Sequence, residues 1–241
     1  MSEQLLKMAL LAESSYIQHK HIPQQYKGYN KIYPIFTQPF HTHKNMFHSV
    51  AYKDDLYLTF KGTDNKLDMA KNVLWYPKSF VEDEPFPKWV KERYGDASVH
   101  MGLYLRYRHV LASCEKIILQ NRFKNIYFAS HSAGSLSAFV EASLILRYPH
   151  LRLHHYSFGS PKLGNETFKD LFGTLPIIHS CRVTYKNDPV PHIPFFKSEW
   201  CHPERYAVHL GSDYEKPDLN DHSMSAYIST LAEIHEIYPD D

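Results

Sequence analysis

The chain has 241 residues, 43% of them hydrophobic, which fits one large domain with a substantial core. Its formal net charge is +1, with Lys and Arg spread along the chain, so the charge excludes an electrostatic case for nucleic-acid binding. Three cysteines do not make a disulfide framework, and no stretch is apolar enough to predict a transmembrane segment.

No repeat, low-complexity segment or linker divides residues 1–241, so we expect a single domain. The chain opens with apolar residues at helical spacing over residues 5–12, which predicts a helix. This start lacks the basic segment and long apolar run of a signal peptide. We therefore expect a cytoplasmic protein and leave export by a signal-independent route open.

Three histidines follow a Tyr- and Pro-rich stretch that we expect to be irregular. His41, His43 and His48 could suggest a metal site, but they lack nearby carboxylates and cysteines. The alternating pattern around them instead predicts a strand with surface histidines. The sequence therefore implies no metal site here.

Two strand-like runs, at residues 47–52 and 56–61, are joined by a short polar turn that predicts a hairpin. The second run ends in Gly62-Thr63. A glycine and a hydroxyl residue just past a buried strand can supply a backbone N–H and a side-chain O–H to an oxyanion hole. The alternative is a polar turn that only ends the strand.

Residues 68–98 are rich in large apolar side chains, interrupted by prolines and without clean periodicity. Such a segment can fill the core, or it can form a mobile lid over a site. Both interpretations stay open from the pattern alone. The aromatic cluster that would cover a site or meet a lipid surface comprises Trp75, Tyr76, Phe80 and Trp89.

A serine stands between a predicted buried strand and a predicted helix. The apolar run 126–129 is followed by Ser130-x-Ser132-x-Gly134 and then by apolar residues at helical spacing. A nucleophile elbow requires a serine at such a sharp turn, with small neighbours because the helix passes close to the sheet. Ser132 is therefore the candidate nucleophile, although so short a motif also occurs by chance.

Strand and helix patterns alternate downstream, with strands predicted at 153–158 and 181–185. This alternation predicts an α/β fold with a mainly parallel sheet, in which functional residues collect at the carboxyl ends of strands. Asp188 follows the second of these strands and is the candidate acid. His222, at a loop–helix junction, is the preferred base, with His209 as the reserve.

Taken together, these segments resemble the class 3 lipases, the fungal-type triacylglycerol lipases of the α/β-hydrolase fold. The resemblance covers the chain from about residue 50 to the end, with the motifs in family order. The matching segments are Leu58-Thr59-Phe60-Lys61-Gly62-Thr63, Val99-His100-Met101-Gly102-Leu103, Ser130-His131-Ser132-Ala133-Gly134, Tyr156-Ser157-Phe158-Gly159-Ser160-Pro161-Lys162-Leu163-Gly164-Asn165, Asn187-Asp188-Pro189-Val190-Pro191-His192-Ile193-Pro194 and Asp221-His222-x-x-x-x-Tyr227.

The resemblance implies an α/β-hydrolase fold with Ser132 as nucleophile, Asp188 as acid and His222 as base. It further implies an oxyanion hole made by Thr63 and the backbone N–H of Ala133, and a lid in the segment after Asp68. The chain departs from the family pattern by small or similar residues, namely Ser130 for Gly, Ala133 for Leu, Lys61 for Arg and Leu103 for Phe.

We therefore expect a serine carboxylic-ester hydrolase that acts on lipid esters, of the triacylglycerol-lipase type. Its partners would be a lipid or small ester substrate and, transiently, a lipid surface. No metal and no organic cofactor are implied. The alternatives are a phospholipase A1 or monoacylglycerol lipase on the same site and, from another class, a catalytically silent lipase-like scaffold.

Overall fold

A seven-stranded sheet forms the centre of the chain, in a computed structural model that describes residues 2–16, 29–38, 40–43, 46–63, 76–195, 199–212 and 216–236. The strands of this sheet lie in the order β1-β2-β3-β6-β7-β9-β11. They are β1 (His41–His43), β2 (Phe47–Tyr52), β3 (Asp55–Phe60), β6 (Asn125–His131), β7 (Leu153–Phe158), β9 (His179–Tyr185) and β11 (Tyr206–Leu210).

Strands β2 and β3 form the antiparallel hairpin that the polar turn predicted. From β3 onward, every neighbouring pair in the large sheet is parallel. Parallel strands need crossover connections, and helices supply those between β3, β6, β7 and β9. The predicted α/β fold with a mainly parallel sheet is therefore confirmed.

A smaller four-stranded sheet, in the order β10-β8-β5-β4, was not predicted from the sequence. Its strands are β4 (Pro77–Ser79), β5 (Ser98–His100), β8 (Gly164–Asn165) and β10 (Trp200–Cys201). These strands have only two or three residues each, too few to produce a recognisable alternation.

Helices cover both faces of the large sheet. They are α1 (Ser2–Ser14), α2 (Tyr29–Ile32), α3 (Lys88–Tyr94), α4 (Met101–Gln120), α5 (Ser137–Arg147), α6 (Glu166–Thr174) and α7 (Met224–His235). Helices α1 and α7 contact each other and share one apolar core with the sheet. Helices α3 to α6 contribute to a second core on the other face.

Helix α4 shows how the sequence determines this arrangement. Its buried residues recur three or four positions apart, from Leu103 through Tyr107 and Val110 to Cys114, and thus form one face. His100 caps the helix, because its Nδ1 accepts the backbone N–H of Leu103 at 3.3 Å. The His-x-Gly segment thus begins this helix at the edge of the small sheet.

The predicted lid is only partly described, because residues 64–75, including Trp75, lie outside the described part. The described remainder contradicts the interpretation of a cover at Phe80, which is fully buried among Phe86, Tyr107, Phe139 and Phe168. Phe80 is therefore a core residue, because a fully buried ring cannot form an exposed cover over a site.

Tyr76 and Trp89 are exposed, at 68% and 50%. Trp89 contacts Tyr94 of its own helix, edge to face.

The prediction that His41, His43 and His48 are surface histidines is wrong for His48. This residue is buried in β2, and burial lowers its pKa to about 4.

The free cysteines Cys114 and Cys181 are buried, the first in α4 and the second in β9. Within the described part of the chain, no helix combines the length and apolar character needed to cross a bilayer.

Candidate active site

Ser132 stands at the turn between strand β6 and the helix that follows it. The strand ends at His131, a 3-10 turn spans Ser132–Leu136, and α5 begins at Ser137. The φ angle of Ser132 is +56°, a left-handed conformation that costs a non-glycine residue about 1–2 kcal/mol. The backbone at Ser132 therefore has the strained geometry that a nucleophile elbow requires.

Small residues around Ser132 are required by close packing against β3. A Cβ at Gly134 would overlap the carbonyl oxygen of Phe60. Ser130, where the family pattern has glycine, is fully buried in β6 and its Oγ donates to the carbonyl of Tyr156 at 3.4 Å. The substitution at Ser130 is accommodated because the extra hydroxyl has a hydrogen-bond acceptor.

The turn after β3 lies directly against the serine. A Cβ at Gly62 would come within 2.8 Å of Ser132 Cβ, so this position requires glycine. Thr63 follows and lines the same cavity as Ser132. Its Oγ1 is buried and makes no hydrogen bond within the described residues. Ala133 is partly buried and follows Ser132 directly at the start of the 3-10 turn.

Asp188 and His222 form a hydrogen-bonded pair. His222 Nδ1 lies 2.8 Å and 3.0 Å from the two carboxylate oxygens of Asp188. The carboxylate also accepts the Tyr227 hydroxyl at 2.6 Å and the Val190 backbone N–H at 2.9 Å. Because Nδ1 must donate to the carboxylate, the lone pair of the neutral ring lies on Nε2.

Gly159, at the carboxyl end of β7, allows this pair to form. Its φ is +55°, and a Cβ there would lie 2.8 Å from Asp188 Oδ2 and 3.0 Å from His222 Nδ1. Both the conformation and the space exclude a larger residue. The Phe-Gly-Ser-Pro segment noted in the sequence therefore supports the acid–base pair.

A second hydrogen-bonded chain connects the turn at Ser132, the turn at Gly62-Thr63 and His222. Tyr16 Oη accepts the backbone N–H of Gly62 at 2.9 Å and lies 2.6 Å from His131 Nδ1. His131 Nε2 lies 2.9 Å from the backbone carbonyl of His222. If His131 is neutral, all three contacts are satisfied only when Tyr16 donates to Nδ1 and His131 donates from Nε2.

The electrostatics around His131 favour this neutral form. Burial, with a further contribution from His222, holds the pKa of His131 well below its ordinary value. The rings of His131 and His222 lie 4.5 Å apart. A neutral His131 therefore stays a fixed hydrogen-bonding link across the pH range in which His222 would act.

Ser132 and His222 line one cavity of about 350 Å³. The cavity is lined by Glu13, Tyr16, Thr63, His131, Ser132, Leu219, His222, Ser223, Met224 and Ser225. His222 Nε2 is buried and makes no hydrogen bond with any described residue. The structure thus brings Ser132, His222 and Thr63 to one cavity, with Asp188 behind the base.

Other candidates lie elsewhere. Tyr76, Phe80 and Trp89 are not among the described residues that line this cavity. His209, the reserve base, is exposed on β11 and bonded to Thr184 at 2.9 Å. No group of three or more described His, Cys, Asp or Glu side chains is placed to hold a metal ion.

The sequence matches the family of class 3 lipases over residues 57–198, which is more than half of the chain. The chain belongs to the class 3 lipase family. The matched residues include Gly62-Thr63, Ser132 and Asp188, and His222 lies beyond the end of the match. In this family member Ser132, His222 and Thr63 line one cavity, and Asp188 is hydrogen-bonded to His222.

Two relatives among curated proteins show how far the likeness extends. This class 3 lipase family member is 26% identical to the phospholipase A1-IIbeta of Arabidopsis thaliana over 206 residues, 76% of this chain and 49% of the relative. It is 32% identical to the secreted mono- and diacylglycerol lipase 1 of Fusarium solani over 100 residues, 40% of this chain and 29% of that protein. The chain thus spans half or less of these relatives.

Solved structures show the same fold. Lipase II from Rhizopus niveus superimposes with a TM-score of 0.69 at 19% identity, over 100% of this chain and 94% of that one. The α/β-hydrolase fold expected for this class 3 lipase family member is therefore confirmed.

Two features of this family member escaped sequence analysis. Tyr16 reaches the site from the end of α1, 115 residues before its partner His131, and no local pattern reveals such a contact. The other is a buried cluster in which His155 lies 2.5 Å from Glu141 and 3.3 Å from Glu204, while Ser157 donates to Glu204 at 2.7 Å.

The His155 cluster is fully buried and lines no part of the cavity at Ser132. Burial alone would lower the pKa of His155, but the two carboxylates raise it to about 10. His155 is therefore an imidazolium held between two acids. This arrangement is a structural charge cluster beneath the sheet and not a second active site.

Proposed function

We propose that this chain is a serine carboxylic-ester hydrolase that acts on lipid esters, of the triacylglycerol-lipase type. One observation carries the proposal. In the cavity beside Ser132, His222 holds its Nδ1 proton on Asp188 while its buried Nε2 and the buried Thr63 Oγ1 make no hydrogen bond within the described residues. An ester carbonyl in the cavity would accept a hydrogen bond from the Thr63 hydroxyl, while the lone pair of His222 Nε2 would take the proton of the attacking Ser132 hydroxyl.

The reaction follows from these positions. Ser132 Oγ attacks the ester carbonyl as its proton passes to His222 Nε2, and the Asp188 carboxylate stabilises the imidazolium. The Thr63 hydroxyl and the backbone N–H of Ala133 donate to the tetrahedral oxyanion. His222 then protonates the leaving alcohol. Water, deprotonated by His222, hydrolyses the acyl-enzyme and restores the serine.

The wall of the cavity suits a lipid substrate that approaches from a surface. Leu219, which is 46% exposed, lines the cavity together with the buried Met224. We propose that Leu219 makes transient contact with a lipid surface. Faster hydrolysis of an aggregated short-chain triacylglycerol than of the same ester in monomeric solution would support this contact, and equal rates would refute it.

A phospholipase A1 is the second candidate on the same site. The observation that favours it is the likeness to the Arabidopsis phospholipase A1-IIbeta, which covers 76% of this chain. A monoacylglycerol or diacylglycerol lipase follows from the shorter match to the Fusarium protein. All three candidates use the same reacting residues and differ in the lipid that the cavity accepts.

A lipid panel tests the proposal and separates these candidates. Purified protein is given triacylglycerol, diacylglycerol, monoacylglycerol and phosphatidylcholine, and the released fatty acid is measured against Ser132→Ala. We expect release that is fastest with triacylglycerol and absent in the variant. Faster release from phosphatidylcholine would select the phospholipase. Release from no lipid would refute the proposal and leave the silent scaffold, whereas release that persists in Ser132→Ala would refute Ser132 as the nucleophile.

A further inference from the structure

A second and larger cavity, of about 580 Å³, opens next to Asp188. Its walls include Arg182 and Thr184 of β9, which alternate with Cys181, Val183 and Tyr185. Those three belong to the core shared with α1 and α7. The cavity therefore lies on the opposite face of the sheet, at its β9–β11 edge. A volume of this size is typical of a small-molecule pocket.

The side chains around this cavity are mostly basic. Six basic residues from separate parts of the chain line it, namely Lys162, Arg182, Lys186, His192, His202 and His209. Asp188 is the one carboxylate among the described lining residues, and its oxygens are engaged by His222, Tyr227 and Val190. Among the described residues that line the cavity, Lys162 and Arg182 therefore have no carboxylate free to neutralise them.

Arg182 and Lys162 are the two cations best placed for a ligand. Both are partly buried, and neither forms a salt bridge or a side-chain hydrogen bond with any residue in the described part of the chain. A guanidinium held in a concave site without an acid is unusual, because partly buried charges are normally paired. The nearby acid Glu204 is already bound to His155 and Ser157.

His202 adds a fixed polar group to the wall. Its Nε2 donates to the carbonyl of Pro191 at 2.8 Å, so a neutral ring presents its lone pair at Nδ1. That Nδ1 is buried and has no hydrogen-bond partner among the described residues. The pKa of His202 is lowered to about 4, chiefly by burial, with Arg182 and Lys162 lowering it and Glu204 acting in the opposite direction.

The frame of the cavity does not depend on charge pairing. The Lys162 backbone N–H donates to the carbonyl of Ile193 at 3.0 Å, which ties the loop after β7 to the loop after Asp188. Thr184 and His209 are joined across β9 and β11 at 2.9 Å. These contacts use a backbone N–H, the Thr184 hydroxyl and the His209 ring, so they leave the side chains of Arg182 and Lys162 available to bind.

We propose that this cavity binds a small phosphate ester, with Arg182 and Lys162 as the ligands of the phosphate group. Arginine matches phosphate geometry through two parallel N–H donors, and lysine adds a point charge. A hydroxyl of the ligand would donate to His202 Nδ1. The phosphate can belong to a free phosphate ester or to a phospholipid headgroup, and both present the same chemistry to the pocket.

Isothermal titration calorimetry at low salt and neutral pH tests the proposal. The probes are inorganic phosphate, glycerol 3-phosphate and dihexanoylphosphatidylglycerol below its micelle concentration, with glycerol as the uncharged control. All titrations use the Ser132→Ala protein, so that the lipid is not consumed and the result does not depend on the proposed hydrolysis. The variants Arg182→Gln and Lys162→Gln are compared with Arg122→Gln, an exposed arginine outside the cavity.

We expect a phosphate probe to bind and glycerol not to bind. Each loss of charge within the cavity should weaken binding about tenfold, while Arg122→Gln leaves it unchanged. Tighter binding of glycerol 3-phosphate than of the lipid identifies a free phosphate ester, and the reverse identifies a headgroup. Binding of no probe up to about 10 mM, or equal binding by the cavity variants, would overturn the proposal. If Arg182→Gln does not fold, Lys162→Gln carries the same test.

Discussion

Tyr16 Oη lies 2.6 Å from His131 Nδ1, so a residue at the end of the first helix holds the residue that precedes the candidate nucleophile. The same hydroxyl accepts the N–H of Gly62, beside Thr63. Through His131 the contact continues to the backbone of His222. One tyrosine therefore positions three parts of the site without reacting itself.

Tyr16→Phe should lower kcat about tenfold and leave KM nearly unchanged. The change removes one hydroxyl and leaves the Gly62 N–H and His131 Nδ1 without their partner. We expect this to disturb the positions of Thr63 and His222 more than the shape of the cavity wall. Steady-state kinetics on a short p-nitrophenyl ester measure the effect. The control is Tyr33→Phe, which removes a buried tyrosine hydroxyl that contacts Glu3. Equal losses in the two variants would contradict a positioning role for Tyr16.

Thr63→Val should lower kcat by about 10²-fold, because removing a single oxyanion donor costs this much in other hydrolases. Valine keeps the shape of the side chain and removes only the unpartnered Oγ1. The matched control is Thr63→Ser, which retains the hydroxyl and should retain most of the activity. Activity in Thr63→Val equal to that of Thr63→Ser would exclude the hydroxyl from the reaction.

Asp188→Asn should lower kcat by about 10⁴-fold while the fold is retained. An amide at this position can donate a hydrogen bond to His222 Nδ1, which favours the tautomer with its proton on Nε2. In that tautomer Nε2 cannot accept the proton of Ser132. The size of the loss in pre-steady-state ester hydrolysis checks this tautomer argument. A loss below about tenfold would mean that His222 does not depend on Asp188.

His155→Gln should lower the free energy of unfolding by about 3–5 kcal/mol, because it leaves the carboxylates of Glu141 and Glu204 buried without their cation. Urea denaturation measures the loss. The control is His150→Gln, an exposed histidine between α5 and β7.

The pH dependence of this loss follows from the direction of the pKa shift. The folded-state pKa of His155, about 10, lies above its ordinary value of 6.5. The imidazolium therefore stabilises the fold fully below pH 6.5, and this contribution is lost as pH rises towards about 10. The difference between wild type and His155→Gln should shrink over that window. A difference that stays constant between these pH values would show that His155 is not charged in the fold.

Local patterns in the sequence predicted the hairpin, the parallel strands and the turns that hold Ser132 and Asp188. They succeeded because strand ends in a parallel sheet meet at one edge, so chain order alone brings those residues together. The sequence left Phe80 open between core and lid, because its neighbours Phe139 and Phe168 lie far along the chain. Tyr16, the His155 cluster and the basic cavity also depend on side-chain contacts between distant segments, which no local periodicity encodes.

Labelling with a fluorophosphonate probe tests the central claim, that Ser132 is a serine activated by His222, most directly. The intact protein, Ser132→Ala and Ser225→Ala are treated with the probe, and mass spectrometry identifies the modified residue. Ser225 is the matched control because it is an exposed serine in the same cavity. We predict a single modification at Ser132 in the wild type and in Ser225→Ala, and none in Ser132→Ala. No labelling of the wild type, or labelling that persists in Ser132→Ala, would contradict the account.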